Sequence, residues 1–451
     1  MSRLIVVGGD AAGMSGASQA RRMDPGLDIV VFERTHWVSY AACGIPYYVG
    51  GDVEELRQLQ ARTPEQFATM GIDVRLGQEV TAINVSARSI RVRDLEAGTD
   101  AEFAYDLLLY ATGARPLLPP IEGLDLDGVY QVRTLDDARS LRSALEAPPR
   151  NAVVIGGGYI GLEVAEAFHN LHIPVTVFEM APTVLSRTMD PEMGELVASK
   201  VRALGIEIHT GTPVDAVIGE NGRVVAVEGS GTTYPADIVA LGLGSIPNAA
   251  LADASGIPLG PTGGVAVDDH QQTGADGVYA AGDCTEAIHR VTGNPVNLHL
   301  GTVANKQGRV AGTNLGGGSA TFPGVLGTAI TKVVDIEIAR TGLTLSEAAD
   351  AGIDAVAAGL RSSTAAGYWP MSTSMRIRTV VERRSGRLLG AQIVGGPGAG
   401  KRIDTFATAL WAGMTADELE YVDLSYSPPF SGVWDPANVA ARKARRAAAR
   451  Q

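Results

Sequence analysis

Apolar and polar positions along the 451-residue chain fall into three patterns. The first is a short β-branched run that breaks into glycines and then takes a helical period. It occurs twice, as RLIVVGGDAAG at 3–13 and AVVIGGGYIG at 152–161. The apolar runs predict buried strands, and the spacing at 14–23 and 162–171 predicts helices. Each helix leads into a second strand that ends in an acid, DIVVFE at Glu33 and VTVFE at Glu179. The second pattern is an apolar strand that stops at a turn, as in LLLY before ATGARP (111–116) and in VYAAGD (278–283). The third begins near 322. Segments 327–342 and 387–396 alternate apolar and polar residues, which predicts antiparallel strands. Helical patterns follow at 404–413 and 415–421, and the basic, Ala-rich tail 441–451 reads as a solvated terminal helix.

The repeated pattern is a dinucleotide fingerprint. Gly8 and Gly156 are 148 residues apart, as are Gly13 and Gly161. Glycines permit the turn and let backbone N–H groups approach a pyrophosphate, and the helix N-terminus adds a favourable dipole. The acid accepts a hydrogen bond from the adenosine ribose. Glu33 lies 20 residues past Gly13, and Glu179 lies 18 past Gly161. The first copy departs from the pattern, because Asp10 stands at the middle glycine. A carboxylate facing a pyrophosphate would be repelled, so Asp10 is expected to turn away.

ATGARP and VYAAGD match the first copy, with Asp283 placed to bond the ribityl–phosphate linker of a flavin. The first dinucleotide is therefore expected to be FAD and the second a nicotinamide. The expected fold is α/β, with two Rossmann-like dinucleotide-binding domains and a C-terminal α+β domain of the kind used for dimerisation. The FAD domain is split by the NAD domain, giving segments 1–117 (FAD), 118–246 (NAD(P)H), 247–321 (FAD) and 322–451 (dimerisation).

Composition narrows the classes. The net charge of −13 disfavours nucleic acid as a partner. Cys43 and Cys284 are the two cysteines, too few for a disulfide scaffold. Cys and His do not recur at metal-ligand spacing, so no metal is expected. No apolar run reaches the ~18 residues of a membrane span. The first strand starts at once, with no signal peptide ahead of it, so a cytoplasmic location is the expectation.

The two fingerprints, ATGARP, YAAGD and SYAACGIPYYVGG (39–51) together resemble the pyridine nucleotide–disulfide oxidoreductases over essentially the whole chain. The one-cysteine motif SxxxCGxPYY is similar to the single-cysteine branch. That branch includes coenzyme A-disulfide reductases, NADH oxidases, NADH peroxidases and persulfide reductases. YSPPFSGVWDP (426–436) resembles the coenzyme A-disulfide reductase group in particular.

The resemblance carries roles onto residues of this chain. The FAD site would use Gly8, Gly9, Ala11, Ala12, Gly13, Glu33, Arg34, Ala111, Thr112, Gly113, Gly282 and Asp283. The nicotinamide site would use Gly156, Gly158, Tyr159, Ile160, Gly161, Glu179 and Gly244. Glu179 would bond a free 2′-hydroxyl and repel a 2′-phosphate, so NADH is expected over NADPH, with Arg187 nearby as the residue that could admit NADPH. Where two-cysteine relatives have CxxxxC, the fifth residue after Cys43 is Tyr48. Cys43 must then pair with an external thiol or cycle through a sulfenic acid. A positive field near it would lower its pKa. Cys284 reads as a small core residue.

Two-cysteine relatives use a C-terminal His–Glu pair as acid and base, but the last histidine here is His299. Tyr426 and Tyr368 match the two tyrosines that coenzyme A-disulfide reductases bring to the thiol from the partner subunit. For the thiol substrate the matching positions are Ser15, Gln19, Arg22, Ser39, Ala42 and His299. Arg22 lies one turn past Gln19 and could hold a coenzyme A phosphate. The expected activity is an FAD-dependent NAD(P)H:disulfide reductase. It would act on coenzyme A disulfide, or a related small disulfide or persulfide, as a homodimer whose active site is shared across the interface. The alternatives are an NADH oxidase reducing oxygen, an electron-transfer reductase, and a redox-sensing dimer.

Overall fold

A computed structural model describes residues 2–450. Met1 and Gln451, the outermost residues of the first and last expected segments, lie outside the described residues. The first fingerprint strand, Arg3–Val7, is the centre of a five-stranded parallel sheet. Its order is Val278–Ala280, Leu107–Tyr110, Arg3–Val7, Asp28–Phe32 and Ile72–Arg75. Apart from the edge strand Ile72–Arg75, these strands are largely apolar because both faces are covered, as a parallel sheet requires. The second fingerprint strand, Ala152–Ile155, is the centre of a second parallel sheet. That sheet also holds Glu207–Thr210, Val175–Glu179, Ile238–Leu241 and Val129–Gln131. The chain passes between the two sheets twice, and the crossings Ala114–Pro116 and Ser245–Pro247 pair antiparallel.

The C-terminal sheet has five antiparallel strands in the order Ala329–Val333, Ile336–Gly342, Leu388–Gly395, Ser374–Glu382, Ala355–Ser363. Helices Ile403–Trp411, Ala416–Glu420 and Pro436–Ala448 follow it. The tail corrects an expectation. Pro436–Ala448 is not simply solvated: Ala437, Ala440, Ala441 and Ala444 are buried against the sheet. On its other side Arg442 and Arg445 bond the buried Glu420 at 2.8 and 2.9 Å. Alanine spacing fits a close-packed helix face, and the two arginines compensate a carboxylate that burial alone would penalise.

The C-terminal domain also grips the second sheet. Asp190 precedes helix Pro191–Ala203, and its carboxylate is almost fully buried. It accepts Arg378 Nε at 2.6 Å, Gln392 Nε2 at 2.7 Å and the Leu345 N–H at 3.0 Å. No helix of the described residues is long and apolar enough to cross a membrane.

Candidate functional site

The first turn is a cradle built by missing side chains. Gly8 has φ +107°, and a Cβ there would lie 2.2 Å from the Ala111 carbonyl oxygen. A Cβ on Gly13 would lie 2.0 Å from the Gly8 oxygen. Helix Ala11–Met23 thus starts hard against the turn, and the Asp10 side chain does not cap it. Its first N–H groups therefore stay available to an anion. Glu33 braces the turn, accepting Gly9 N–H at 2.8 Å, while its other oxygen accepts Thr35 N–H and Oγ–H. Arg34 beside it is exposed. Across the turn, Thr112 Oγ bonds the Asn248 carbonyl, and Gly113 N-terminal to the crossing has φ +68°. Gly282, at φ +91°, packs against Ala12. Asp283 is paired with Arg133 at 3.2 Å, a partner the sequence did not suggest.

The second turn repeats the build. Gly156 has φ +110°, and a Cβ on Gly161 would meet the Gly156 oxygen at 1.9 Å. Gly158 stands at the helix N-terminus with no side chain to cap it. Glu179 accepts Gly157 N–H and Ala181 N–H, both at 2.8 Å. Gly244, at φ +90°, faces open space, and Ile160 is exposed. The Tyr159 hydroxyl is buried without a hydrogen-bond partner. Arg187 is exposed.

Cys43 lies in the short turn Ala42–Gly44, ahead of helix Ile45–Gly50, and its thiol is exposed. Gly50 lets this helix lie on Ala167 of the second fingerprint helix, Tyr159–Asn170. The Cys43 pKa is pushed up, first by desolvation and then through Glu163 and Asp283, with Arg133 opposing. Within one protomer the raising causes outweigh the one positive neighbour, Arg133. Cys284 is fully buried and bonds the Ala281 carbonyl, as a core residue does.

Three elements meet behind Cys43. Glu163 accepts Thr331 Oγ–H at 2.5 Å, and Glu166 accepts Lys332 Nζ at 2.5 Å. Lys332 also stands over the Tyr47 ring at 5.6 Å. Glu163, Lys332 and Arg133 have no motif; their partners lie 150 or more residues away, so no local signal marks them.

The expected substrate residues divide into two groups. On the first fingerprint helix Ser15 bonds Asn305, Gln19 bonds Thr313, and Arg22 reaches Gln19 Oε1 at 3.2 Å with its guanidinium at the surface. Nearer Cys43, Ser39 has φ +51° and Ala42 is half-buried. His299 Nδ1 is 2.5 Å from Ser245 Oγ, while its Nε2 is buried and unpartnered. Burial lowers its pKa, which favours a neutral ring. Tyr368 and Tyr426 come together on the surface of the C-terminal domain. The Tyr368 phenol is pushed up first by desolvation and then by Tyr426. Met371, Phe430, Val433 and Trp434 lie exposed there too. No C-terminal tyrosine is among the groups that act on Cys43 in the same protomer.

Two glycine cradles of one design, on two parallel sheets, with a lone thiol between them, define an oxidoreductase with two dinucleotide sites. The chain belongs to the pyridine nucleotide–disulphide oxidoreductases: residues 2–308 match that family, and 328–437 match its dimerisation domain. Membership implies FAD and NAD(P)H, and the cradles fit both, since each leaves uncapped helix N–H groups where a Cβ would collide. The chain is 41% identical over 442 residues to a Pyrococcus horikoshii protein named NAD(P)H coenzyme A polysulfide/persulfide reductase, covering 98% of each chain. It is 36% identical to a Methanocaldococcus jannaschii protein named NADH oxidase, again covering 98% of each. The solved structure of a NAD-dependent persulfide reductase from A. fulgidus superposes with a TM-score of 0.96 at 40% identity, covering 98% of this chain and 83% of that one.

Proposed function

We propose that this protein is an FAD-dependent NAD(P)H reductase of small disulfides or persulfides, coenzyme A disulfide or persulfide foremost, working through Cys43. The observation that carries the reading is one exposed thiol set between the two cradles, with Tyr48 where a second cysteine would close an internal disulfide. Such a thiol has no internal partner, so the sulfur it bonds must come from outside the chain.

NADH binds on the turn Gly156–Gly161, with Glu179 accepting from its adenosine ribose. The turn Gly8–Gly13 would hold FAD, whose chemistry when bound would be to relay an electron pair from nicotinamide to the thiol site. The chain's own residues do the rest. Cys43 thiolate attacks the substrate S–S bond, one thiol leaves with a proton, and Cys43 keeps the other half as a mixed disulfide. Two electrons and a proton then release the second thiol and restore the thiolate. Glu163 and Thr331 hold the wall behind Cys43. Tyr426 and Tyr368, presented by the C-terminal domain of a second copy, hydrogen-bond the leaving sulfur. The exposed apolar residues around that pair are what such a dimer would cover. Arg22 faces outward, as a phosphate-holding guanidinium would.

The protein is denatured without reductant and weighed before and after dithiothreitol. A mass excess of one coenzyme A, absent from Cys43→Ser, supports the reading. An excess of one or two oxygens, with oxygen uptake matching disulfide turnover, turns it toward the oxidase activity named for the Methanocaldococcus relative. Cys43→Ser that still reduces disulfide while holding flavin sinks it.

A further inference from the structure

Asp10 occupies the fingerprint position that ordinarily lacks a side chain. An N-cap aspartate normally bonds its own helix at the second or third N–H. Asp10 does not. Its Oδ1 accepts the Tyr40 N–H at 3.0 Å instead, 30 residues along the chain. Next to it Ser39 N–H bonds the Gly9 carbonyl at 2.9 Å, and Ser39 sits at φ +51°. A serine held there costs about 1 kcal/mol or more, so the surroundings must fix it. The remaining anchors of this stretch are Ala41 N–H to Leu59 O and Ala61 N–H to Ser39 O, backbone bonds that other sequences could also form. Asp10 is the side-chain anchor between the fingerprint turn and the segment that carries Cys43.

We propose that Asp10 is a positioning residue, strapping the Cys43 segment to the FAD turn without capping the second and third N–H groups of the helix, which stay open to pyrophosphate. The proposal rests on the reading of Cys43 as the redox thiol. A glycine in this place would free the same N–H groups but could not make the strap. A self-capping aspartate would occupy them. Turned toward Tyr40, Asp10 avoids both outcomes. Its charge also reaches the thiol. Groups acting on Asp10 are the Tyr40 amide, Glu33, Arg133 and, least, the Ala11 amide, and those acting on Cys43 are Glu163, Asp283, Arg133 and Asp10. Burial raises the Asp10 carboxyl to about 6, so it is ionised above neutrality and opposes the thiolate.

Two variants separate the bond from the charge. Asp10→Asn keeps an acceptor for Tyr40 and removes the charge; Asp10→Gly removes both and restores the glycine fingerprint. Hydrogen exchange of the 39–44 segment is followed on the flavin-replete fraction of each. Loss of the strap is expected to speed exchange at Tyr40 about tenfold in Asp10→Gly and to leave Asp10→Asn near wild type. Alkylation of Cys43 after reduction is expected to move to lower pH in Asp10→Asn. Unchanged exchange in Asp10→Gly, or equal loosening in both variants, overturns the proposal. Exchange does not depend on turnover, so a failure of Cys43 as the redox thiol would show in Cys43→Ser and not here.

Discussion

The Glu179 carboxylate accepts the Gly157 backbone N–H at 2.8 Å, the same distance at which Glu33 accepts Gly9 N–H. In both fingerprints the acid past the second strand buttresses its own glycine turn. Only part of its hydrogen-bonding capacity is left for a ribose hydroxyl. The acid is therefore both a support for the turn and a reader of the nucleotide.

Glu179→Gln is expected to raise KM for NADH about tenfold, the effect of weakening a charged hydrogen bond. The ratio of kcat/KM for NADPH to that for NADH rises in the same variant, because the repulsion of a 2′-phosphate is gone. Steady-state kinetics with both nucleotides checks this. An unchanged ratio would remove Glu179 from nucleotide choice.

Cys43 is held above the usual thiol range within a protomer, so at neutral pH its protonated form dominates. Alkylation by iodoacetamide should rise with pH through a midpoint above the ~8.5 of a free cysteine. Glu163→Gln removes a negative neighbour, which favours the thiolate and moves that midpoint down. A midpoint below that of free cysteine in the wild type would mean that the dimer or the flavin supplies a positive field that outweighs Glu163 and Asp283.

Asp190→Ala leaves Arg378 and Gln392 without their shared acceptor at a buried boundary between domains. Arg378 keeps its second partner, the exposed Glu192, so the cost is that of buried donors left unpaired, about 1–3 kcal/mol each. The expected result is a large fall in Tm, with Asp190→Asn falling less because it still accepts from Gln392. Thermal unfolding of the three proteins at one flavin content measures it. Equal Tm values would show that the boundary is held by apolar packing alone.

The periods of the sequence determined the two parallel sheets, both glycine turns and both acids, because local sterics and hydrogen bonds need only nearby residues. A glycine at φ above +100° and an apolar run covered on both faces leave direct marks in the letters. The lone Cys43, with Tyr48 five positions on, likewise excluded an internal disulfide at this site and left an external thiol or a sulfenic acid. Tertiary structure decided what lies around that sulfur. Glu163, Arg133 and Asp283 come from separate parts of the chain, and the sign of the field at Cys43 depends on their distances and burial, which no spacing encodes. It also decided that Asp10 turns to Tyr40 rather than to its own helix, and that the basic tail packs its alanines and clamps Glu420. A charged side chain chooses the partner that repays its desolvation, and that partner is set by the fold.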